Sequence, residues 1–300
     1  MPLFVLKTDL VNMNVDAIVN DSNVKLKMVE GVGRAIFHAA GDLELTEACK
    51  KIGYCAPGSA VETEPFNLTN AKIIIHAVAP IYNNGKHNEE KLLRSAYRKS
   101  LEIASSHNFT KIAFPLLGAE FNWPREICYQ IACSELKKFL VENPNVTIYL
   151  CMFKNIPDVI DDNLHEALTN YSTSHFTYQN QQKDFAIQKK DFIKVFGKRI
   201  KEIPVNTFLY KANINLEVYN EVLNNPEFAM SKSFAIGICI ALEMTLDEMK
   251  IALLQLGYEF RNDRLFDLII LYLVQQKIYD IYTINNALFS YNFDLLGCSK

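Results

Sequence analysis

The stretch VNDSNVKLKMVEGVGRAI, residues 19–36, decides the fold because within it a polar loop joins an apolar strand to a helix. An apolar, β-branched run predicts a strand over Ala17–Asn20, and apolar residues at helical spacing predict a helix over Val32–Ala40. Gly31 and Gly33 let the backbone approach a ligand closely, and the unpaired amides at a helix start favour an anion. The sequence therefore predicts an anion site at this helix start, and a diphosphate is the natural ligand.

The same alternation of short apolar runs with amphipathic stretches continues through the first half of the chain. Strands are predicted over Leu3–Lys7, Ala17–Asn20, Ser59–Glu64, Lys72–Val78, Lys111–Pro115 and Thr147–Phe153. Helices are predicted over Val32–Ala40, Glu44–Ile52, Asn88–His107, Pro124–Glu142 and Pro157–Leu168. This order indicates an α/β fold with a mostly parallel sheet and helices on both faces. Ligands of such sheets bind beyond the carboxyl ends of the strands, so the loops after strands are the informative segments.

The character of the chain changes after residue 169. Residues 170–190, NYSTSHFTYQNQQKDFAIQKK, are polar and poor in aliphatic side chains, which is typical of a linker. Residues 191–300 show helical periodicity almost throughout. We therefore predict an α/β domain over residues 1–169, a linker over 170–190, and a smaller all-α domain over 191–300.

The bulk composition restricts the classes of partner. A net charge of -3 over 300 residues argues against charge-driven binding to nucleic acid or to an anionic membrane, and favours small molecules or proteins. The seven cysteines include no Cys-x-x-Cys pair, which predicts reduced thiols in a cytoplasmic protein and no metal site. The first residues lack the basic region and the apolar run of a signal peptide, and no apolar stretch reaches the ~20 residues of a membrane span.

Polar residues follow the strand of the opening stretch and the fifth predicted strand. Asn20 and Asn23 carry amides that both donate and accept, which suits ribose hydroxyls or a phosphate-bound water. Residues 116–124, LLGAEFNWP, follow the fifth predicted strand and precede a helix that begins at proline, so their amides would form a second anion nest beside the first. Phe121 would lie on a sugar, whereas Trp123 is interpreted as a packing residue.

Asp9 lies directly after the first predicted strand. An acidic residue in this position is usually a solvated turn residue. Its carboxylate could instead accept the exocyclic amine of a purine, and Phe153, at the end of the last predicted strand, could pack against the same base. The residues by themselves leave both interpretations open.

Four segments resemble, in this order and at these separations, the macrodomain, the ADP-ribose-binding α/β module. They are DAIVNDSN (16–23), EGVGRAIFHAAG (30–41), IGYCAPGSAVETEPFNLTNAKIIIHAVAPIY (52–82) and IAFPLLGAEFNWP (112–124). The resemblance covers about residues 1–155 and implies a three-layer α/β/α fold with ADP-ribose as ligand and no cofactor. The ligand-binding positions that it implies are Asp9, Leu10, Asn20, Asn23, Gly31, Val32, Gly33, Gly118, Ala119, Glu120, Phe121, Asn122 and Phe153.

The resemblance also implies roles for these positions. Asp9 bonds adenine and Phe153 flanks it, while Asn20 and Asn23 stand where the family's asparagines support the distal ribose. Residues 31–33 form the first phosphate loop and residues 118–122 the second, with Phe121 as the aromatic neighbour of the ribose.

Two departures from the family bear on catalysis. Macrodomains that hydrolyse mono-ADP-ribosyl groups often carry an aspartate in the first loop that positions the attacking water, and this position falls on Gly33. Glu120 replaces a small family residue, and its carboxylate beside a diphosphate would repel the ligand. Glu120 is therefore either a surface residue or a replacement general base, and Glu30 has the same two interpretations.

Two functions remain open on the sequence. One is a mono-ADP-ribosyl hydrolase or O-acetyl-ADP-ribose deacetylase, with Asn23 orienting the ribose and Glu120 as a second candidate catalytic residue. The other is a non-catalytic reader of free or protein-linked ADP-ribose.

The second half carries a weaker likeness. Residues 210–256 resemble a repressor-type helix-turn-helix module, and the tail resembles the helical domain attached to some bacterial macrodomain proteins. Residues 191–300 hold 11 Lys and Arg against 13 Asp and Glu, a net charge of -2, and the implied recognition helix Asn215–Leu223 has Glu217 and Glu221 but no basic residue. Repulsion from phosphates makes DNA a poor partner, and a role in protein interaction or self-association is favoured.

Overall fold

The structure is a computed structural model that describes residues 2–152, 159–177, 190–225, 228 and 230–297. The chain divides into two compact units, Leu3–Pro157 and Asp158–Lys300. Among the described residues, no helix is both long enough and apolar enough to span a bilayer.

The N-terminal unit is built on one six-stranded sheet with the strand order β1-β6-β5-β2-β4-β3. Its strands are β1 (Leu3–Leu6), β2 (Ala17–Ser22), β3 (Ala60–Thr63), β4 (Ile73–Val78), β5 (Lys111–Pro115) and β6 (Thr147–Cys151). All neighbours pair in parallel except β3, which runs antiparallel to β4. The prediction of a mostly parallel sheet is confirmed, and the carboxyl ends of five strands share one edge.

Helices cover both faces of this sheet, as the apolar runs predicted. They are α1 (Val32–Ala40), α2 (Asp42–Ile52), α3 (Glu89–Ser106) and α4 (Arg125–Glu142), with a short 3-10 helix at Leu10–Asn12. Every residue of β2 is buried, which requires cover on both sides. Successive side chains of a strand point to opposite faces of the sheet. Asn20 of β2 contacts His76 on the face that α2 covers, where His76 also contacts Cys49. Asp21 points to the other face, which α4 covers. The three-layer α/β/α prediction is confirmed.

The C-terminal unit is helical throughout its described part. Its helices are α5 (Asp162–His175), α6 (Lys190–Glu202), α7 (Val205–Ala212), α8 (Leu216–Asn224), α9 (Lys232–Ala241), α10 (Leu246–Gln255), α11 (Leu265–Gln275) and α12 (Ile281–Ser290). Side-chain caps fix several starts: Ser231 accepts from Phe234 N–H at α9, and Thr245 with Glu248 forms a capping box at α10. Helix α9 is buried from Phe234 onward, so it forms the centre of this unit.

The largest difference from the predicted organisation concerns the end of the first domain. Helix α5 runs from Asp162 to His175, whereas a helix over Pro157–Leu168 and a linker from residue 170 were predicted. The Asp161 side chain caps the first turn, Leu168 is buried, and the polar residues from 169 to 175 continue the helix, so a polar composition does not end it. The compact units also divide at residue 157, which places α5 with the C-terminal helices.

Candidate functional site

A pocket of about 350 Å³ lies at the sheet edge where β1, β6, β5 and β2 end. It is lined by Thr8, Asp9, Leu10, Asp21, Glu30, Gly31, Val32, Gly33, Ala35, Pro115, Leu116, Ala119, Glu120, Arg125, Cys151 and Met152. The volume is that of a small-molecule site, and the position is the one expected for a ligand of a parallel sheet.

One part of the pocket combines a carboxylate with apolar surface. Asp9 Oδ1 accepts a hydrogen bond from Val11 N–H at 3.2 Å, so the residue caps the short helix that begins at Leu10. No described residue donates to Asp9 Oδ2, which leaves an acceptor for an exocyclic amine. Cys151 and Met152 complete this part, and burial, reinforced by Asp9, raises the pKa of the Cys151 thiol to about 12, so the thiol stays protonated. Phe153, predicted to flank the base, lies outside the described residues.

The start of helix α1 faces the same pocket. Gly31 has φ 71°, a backbone conformation that favours glycine, and no side chain caps the helix. The first N–H groups of α1 therefore lack intrahelical acceptors, and the helix dipole adds partial positive charge there. Gly31, Val32 and Gly33 line the pocket, so this predicted phosphate loop lies where an anion would bind.

Gly33 is fixed by its neighbours. A Cβ atom at this position would lie 2.5 Å from Val29 Cγ2 and 3.5 Å from Asn20 Oδ1. The first distance is shorter than any ordinary contact, and a β-branched valine cannot easily turn away. Position 33 therefore accommodates glycine, and the family's aspartate would require Val29 or its loop to move.

Asn20 belongs to a buried polar chain. Its Nδ2 lies 3.1 Å from His76 Nδ1, and His76 Nε2 lies 2.9 Å from Thr63 Oγ1. Burial lowers the pKa of His76 to about 4, so the ring is neutral, accepts from Asn20 and donates to Thr63. The Oδ1 atom of Asn20 has no hydrogen-bond partner among the described residues. His76 thus positions Asn20, and a contact of Asn20 with the distal ribose stays a prediction.

Asn23 has a different environment from the one expected. Its Oδ1 accepts from Lys25 N–H at 3.0 Å and from Lys27 N–H at 3.3 Å, and its Nδ2 donates to Lys27 O at 2.9 Å. The amide thus shapes its own loop, and Asn23 is not among the residues lining the pocket. A direct role for Asn23 at the ribose stays a prediction.

The second predicted amide nest is mostly engaged within the protein. Gly118 N–H donates to Asp21 Oδ2 at 2.9 Å, Ala119 N–H to Leu116 O, and Phe121 N–H to Gly118 O. These three amides are therefore not available to an anion, and the second nest is smaller than the sequence suggested. In the part of the chain that is described, the amides of Glu120 and Asn122 have no protein acceptor.

The remaining residues of this loop are divided between pocket and packing. Ala119 and Glu120 line the pocket, whereas Phe121, Asn122 and Gly118 do not. A Cβ atom at Gly118 would lie 2.9 Å from the Trp123 ring, which explains the glycine by packing. Trp123 is buried and its indole donates to Pro80 O at 2.8 Å, so its interpretation as a packing residue is confirmed.

Glu120 reaches from the second loop to the first. Its Oε1 lies 3.5 Å from the position that a Cβ atom on Gly31 would take, and 3.6 Å from Arg125 Nη2. Glu30, the other candidate base, pairs with Arg34 one turn along. Arg125 was not predicted as a site residue, although its place directly after Pro124 at the start of α4 was a usable signal.

Asp21 was also missed by the sequence analysis. It is buried, lines the pocket, and its Oδ1 has no partner among the described residues. Burial raises the pKa of Asp21 well above its usual 3.8; the Gly118 hydrogen bond offsets only part of this, and the charge of Glu120 adds to it. A carboxyl group therefore stays protonated beneath the second loop.

This environment predicts how Asp21→Asn changes stability with pH. The folded protein keeps a proton on Asp21 that the unfolded chain loses above pH 3.8, so the free energy of unfolding of the wild type falls as pH rises. An asparagine accepts from Gly118 and undergoes no such loss. We expect the Tm difference, Asp21→Asn minus wild type, to increase from about pH 4 to about pH 8 in thermal melts. Exposed Glu126→Gln is the control, and a difference independent of pH would contradict a buried protonated carboxyl.

Metal-binding residues are not brought together in the described ranges. There, no three His, Cys, Asp or Glu side chains are grouped so that they could hold a metal ion. Cys49 and Cys55 are buried thiols, and burial raises the pKa of both.

Comparison with known proteins gives consistent matches to the N-terminal unit. The sequence pattern described as Macro domain matches residues 19–132. A macro domain-containing protein of Methanosarcina mazei is 40% identical over 154 residues, covering 50% of this chain and 81% of that protein. A protein of Escherichia fergusonii named O-acetyl-ADP-ribose deacetylase is 37% identical over 156 residues, covering 50% of this chain and 87% of that protein. The solved structure of the Oceanobacillus iheyensis macrodomain with ADP is 30% identical, with a TM-score of 0.48, over 50% of this chain and 83% of that chain.

Proposed function

The chain belongs to the macro domain family, and from this premise we propose that its N-terminal unit binds ADP-ribose. The observation that carries the proposal is the pocket itself, in which an uncapped helix start and a carboxylate line the same cavity. A helix start binds phosphate through backbone N–H groups, and a carboxylate accepts the amine of adenine.

The parts of the ligand can be assigned along this pocket. Adenine would lie beside Asp9, Leu10 and Met152, where one acceptor meets apolar surface. The diphosphate would lie at Gly31–Gly33 with Ala119 opposite. The distal ribose would extend toward the buried Asn20, whose Oδ1 still has the capacity to accept a hydrogen bond.

We further propose that the unit removes mono-ADP-ribosyl groups or the acetyl group of O-acetyl-ADP-ribose. The second activity is the one for which the Escherichia fergusonii relative is named. In the first reaction water attacks C1 of the distal ribose, the bond to the modified side chain breaks, and that side chain leaves with the electron pair. In the second, water adds to the acetyl carbon, the bond from that carbon to the ribose oxygen breaks, and the ribose oxygen leaves with the electron pair and takes up a proton, which gives acetate and ADP-ribose. Either reaction needs a base for the water proton, and Glu120 is the pocket carboxylate best placed between the two loops.

A non-catalytic reader is the alternative, and two observations favour it. The amide of Asn23 is engaged within its own loop, and glycine stands at the position of the family's aspartate. Both features affect the attack of water more than the binding of the nucleotide.

Release assays separate the hydrolase from the reader. We expect the full chain to release ADP-ribose from substrates mono-ADP-ribosylated on acidic side chains, and Glu120→Gln to be slower by about a hundredfold or more. Substrates modified on arginine and on DNA, and O-acetyl-ADP-ribose, tested in parallel, identify the linkage. Glu126→Gln, an exposed carboxylate on α4, is the matched control and should release at the wild-type rate. Binding of ADP-ribose without release from any substrate would favour the reader.

The helical unit is proposed to bind a protein partner or a second copy of the chain. Ile251 and Leu254, one turn apart on α10, are 58% and 42% exposed, which gives this unit apolar surface of its own. Glu217 and Glu221 are exposed on α8, which supports the interpretation that DNA is a poor partner.

A further inference from the structure

The charges that line the pocket do not match those of the proposed ligand. Four lining side chains carry carboxyl groups, Asp9, Asp21, Glu30 and Glu120, of which the buried Asp21 stays protonated and adds no negative charge. Among the described lining residues, Arg125 alone is basic, and it is already paired with Glu120. A diphosphate would add further negative charge to this acidic pocket. Its binding therefore requires a change in the ion pair between Arg125 and Glu120 near the phosphate loops.

Glu120 is the carboxylate that interferes most directly. It begins on the second loop, yet its Oε1 and Cδ both lie 3.5 Å from the Cβ position of Gly31, the residue that precedes α1. A carboxylate at a helix start is stabilised by the dipole and by the unpaired N–H groups, as a phosphate would be. The Glu120 side chain therefore lies in the gap that the diphosphate would use.

Arg125 is positioned to exchange partners. It is the first residue of α4 and only 25% of its side chain is exposed, so the helix and its surroundings restrict where the guanidinium can go. Its Nη2 lies 3.6 Å from Glu120 Oε1, which is an ion pair but too long for a strong hydrogen bond. Guanidinium groups bind phosphate in a bidentate manner, which the present contact with Glu120 does not achieve.

We propose that Glu120 holds the diphosphate subsite as an internal anion, and that ADP-ribose binds by displacing it so that Arg125 pairs with the diphosphate. This inference rests on the proposed function and deepens it, because it identifies the residue that recognises the diphosphate and the residue that limits the affinity.

Calorimetric titration of the full chain with ADP-ribose tests the exchange. Glu120→Gln removes the competing charge, and we expect it to strengthen binding by about three- to tenfold. Arg125→Gln removes the phosphate partner, and we expect it to weaken binding by about tenfold. Glu126→Gln changes the same charge on the neighbouring exposed residue and should leave the affinity unchanged. Thermal melts of each variant confirm that it is folded.

The double variant distinguishes exchange from independent effects. In the wild type Arg125 must leave Glu120 before it binds the ligand, so part of its contribution is cancelled. With Glu120→Gln already present, Arg125→Gln should therefore weaken binding by a larger factor than it does alone. Simple multiplication of the two single effects, or a Glu120→Gln variant that binds no better than Glu126→Gln, would overturn the inference.

Inorganic pyrophosphate separates this inference from the proposed function. If pyrophosphate competes with ADP-ribose, and the variants rank in the same order of affinity for it, the exchange and the proposed ligand are both supported. If pyrophosphate binds with this ranking but ADP-ribose gives no heat, the exchange stands and the proposed ligand is wrong. If ADP-ribose binds but the wild type and all the variants bind it equally, the proposed ligand stands and the exchange is wrong.

Discussion

Asp9→Asn is expected to weaken ADP-ribose binding by about ten- to hundredfold while leaving the N-terminal unit folded. The Asp9 Oδ1 atom caps the short helix by accepting from Val11 N–H, and an asparagine oxygen retains this bond. The second oxygen, proposed to accept the adenine amine, becomes an NH2 group that cannot accept. Loss of a hydrogen bond to a charged group and an unpaired amine together account for the factor. Calorimetric titration measures it.

Two controls separate recognition from stability. Asp9→Ala loses the cap as well, so it should lose about 0.5–2 kcal/mol of stability in addition to the affinity. An inosine analogue of ADP-ribose, which carries an oxygen in place of the amine, should bind Asp9→Asn at least as well as it binds the wild type. If Asp9→Asn bound ADP-ribose like the wild type, the base would lie elsewhere.

Gly33→Asp by itself is expected to destabilise the N-terminal unit and to weaken ADP-ribose binding by about tenfold or more. The new Cβ atom would lie 2.5 Å from Val29 Cγ2, so the loop that starts α1 has to move. Overpacking of this kind costs about 1–3 kcal/mol, and the displaced N–H groups no longer fit the diphosphate. Thermal melts and titrations of the variant measure both effects.

Val29→Ala in the same chain should reverse the steric part. The Val29 Cβ atom lies 3.6 Å from the Cβ position at residue 33, an ordinary contact, so removal of the two methyl groups makes room. The double variant should recover the stability and affinity of Val29→Ala alone. A double variant no better than Gly33→Asp would show that the clash with Val29 is not the reason for the glycine.

The fold could be predicted because its signals are local. The alternation of apolar strand runs with amphipathic stretches predicted the parallel sheet, and Val32 as the first residue of α1 was predicted correctly. The end of the first domain could not be predicted, because burial of Leu168 and the cap at Asp161, rather than composition, determine where α5 lies.

Several predicted residues line the pocket, and two lining residues, Asp21 and Arg125, were missed for a physical reason. Gly31 was identified because the glycine turn before a helix is encoded nearby, whereas Asp9 was identified only through the resemblance to the family. The directions of Glu120, Arg125 and Asp21 depend on partners far away in the chain, and sequence spacing carries no information on them. The local hydrogen bonds of Asn23 to residues two and four positions on were likewise not evident from the sequence, and its role at the ribose stays a prediction.

The most direct test of the account is a calorimetric titration of the wild-type full chain with ADP-ribose. We predict one binding site per chain, with a dissociation constant at or below about 100 µM, and an affinity that falls for Asp9→Asn and rises for Glu120→Gln. The account is contradicted if ADP-ribose at about 1 mM produces neither heat nor a shift in Tm with the wild type or with Glu120→Gln.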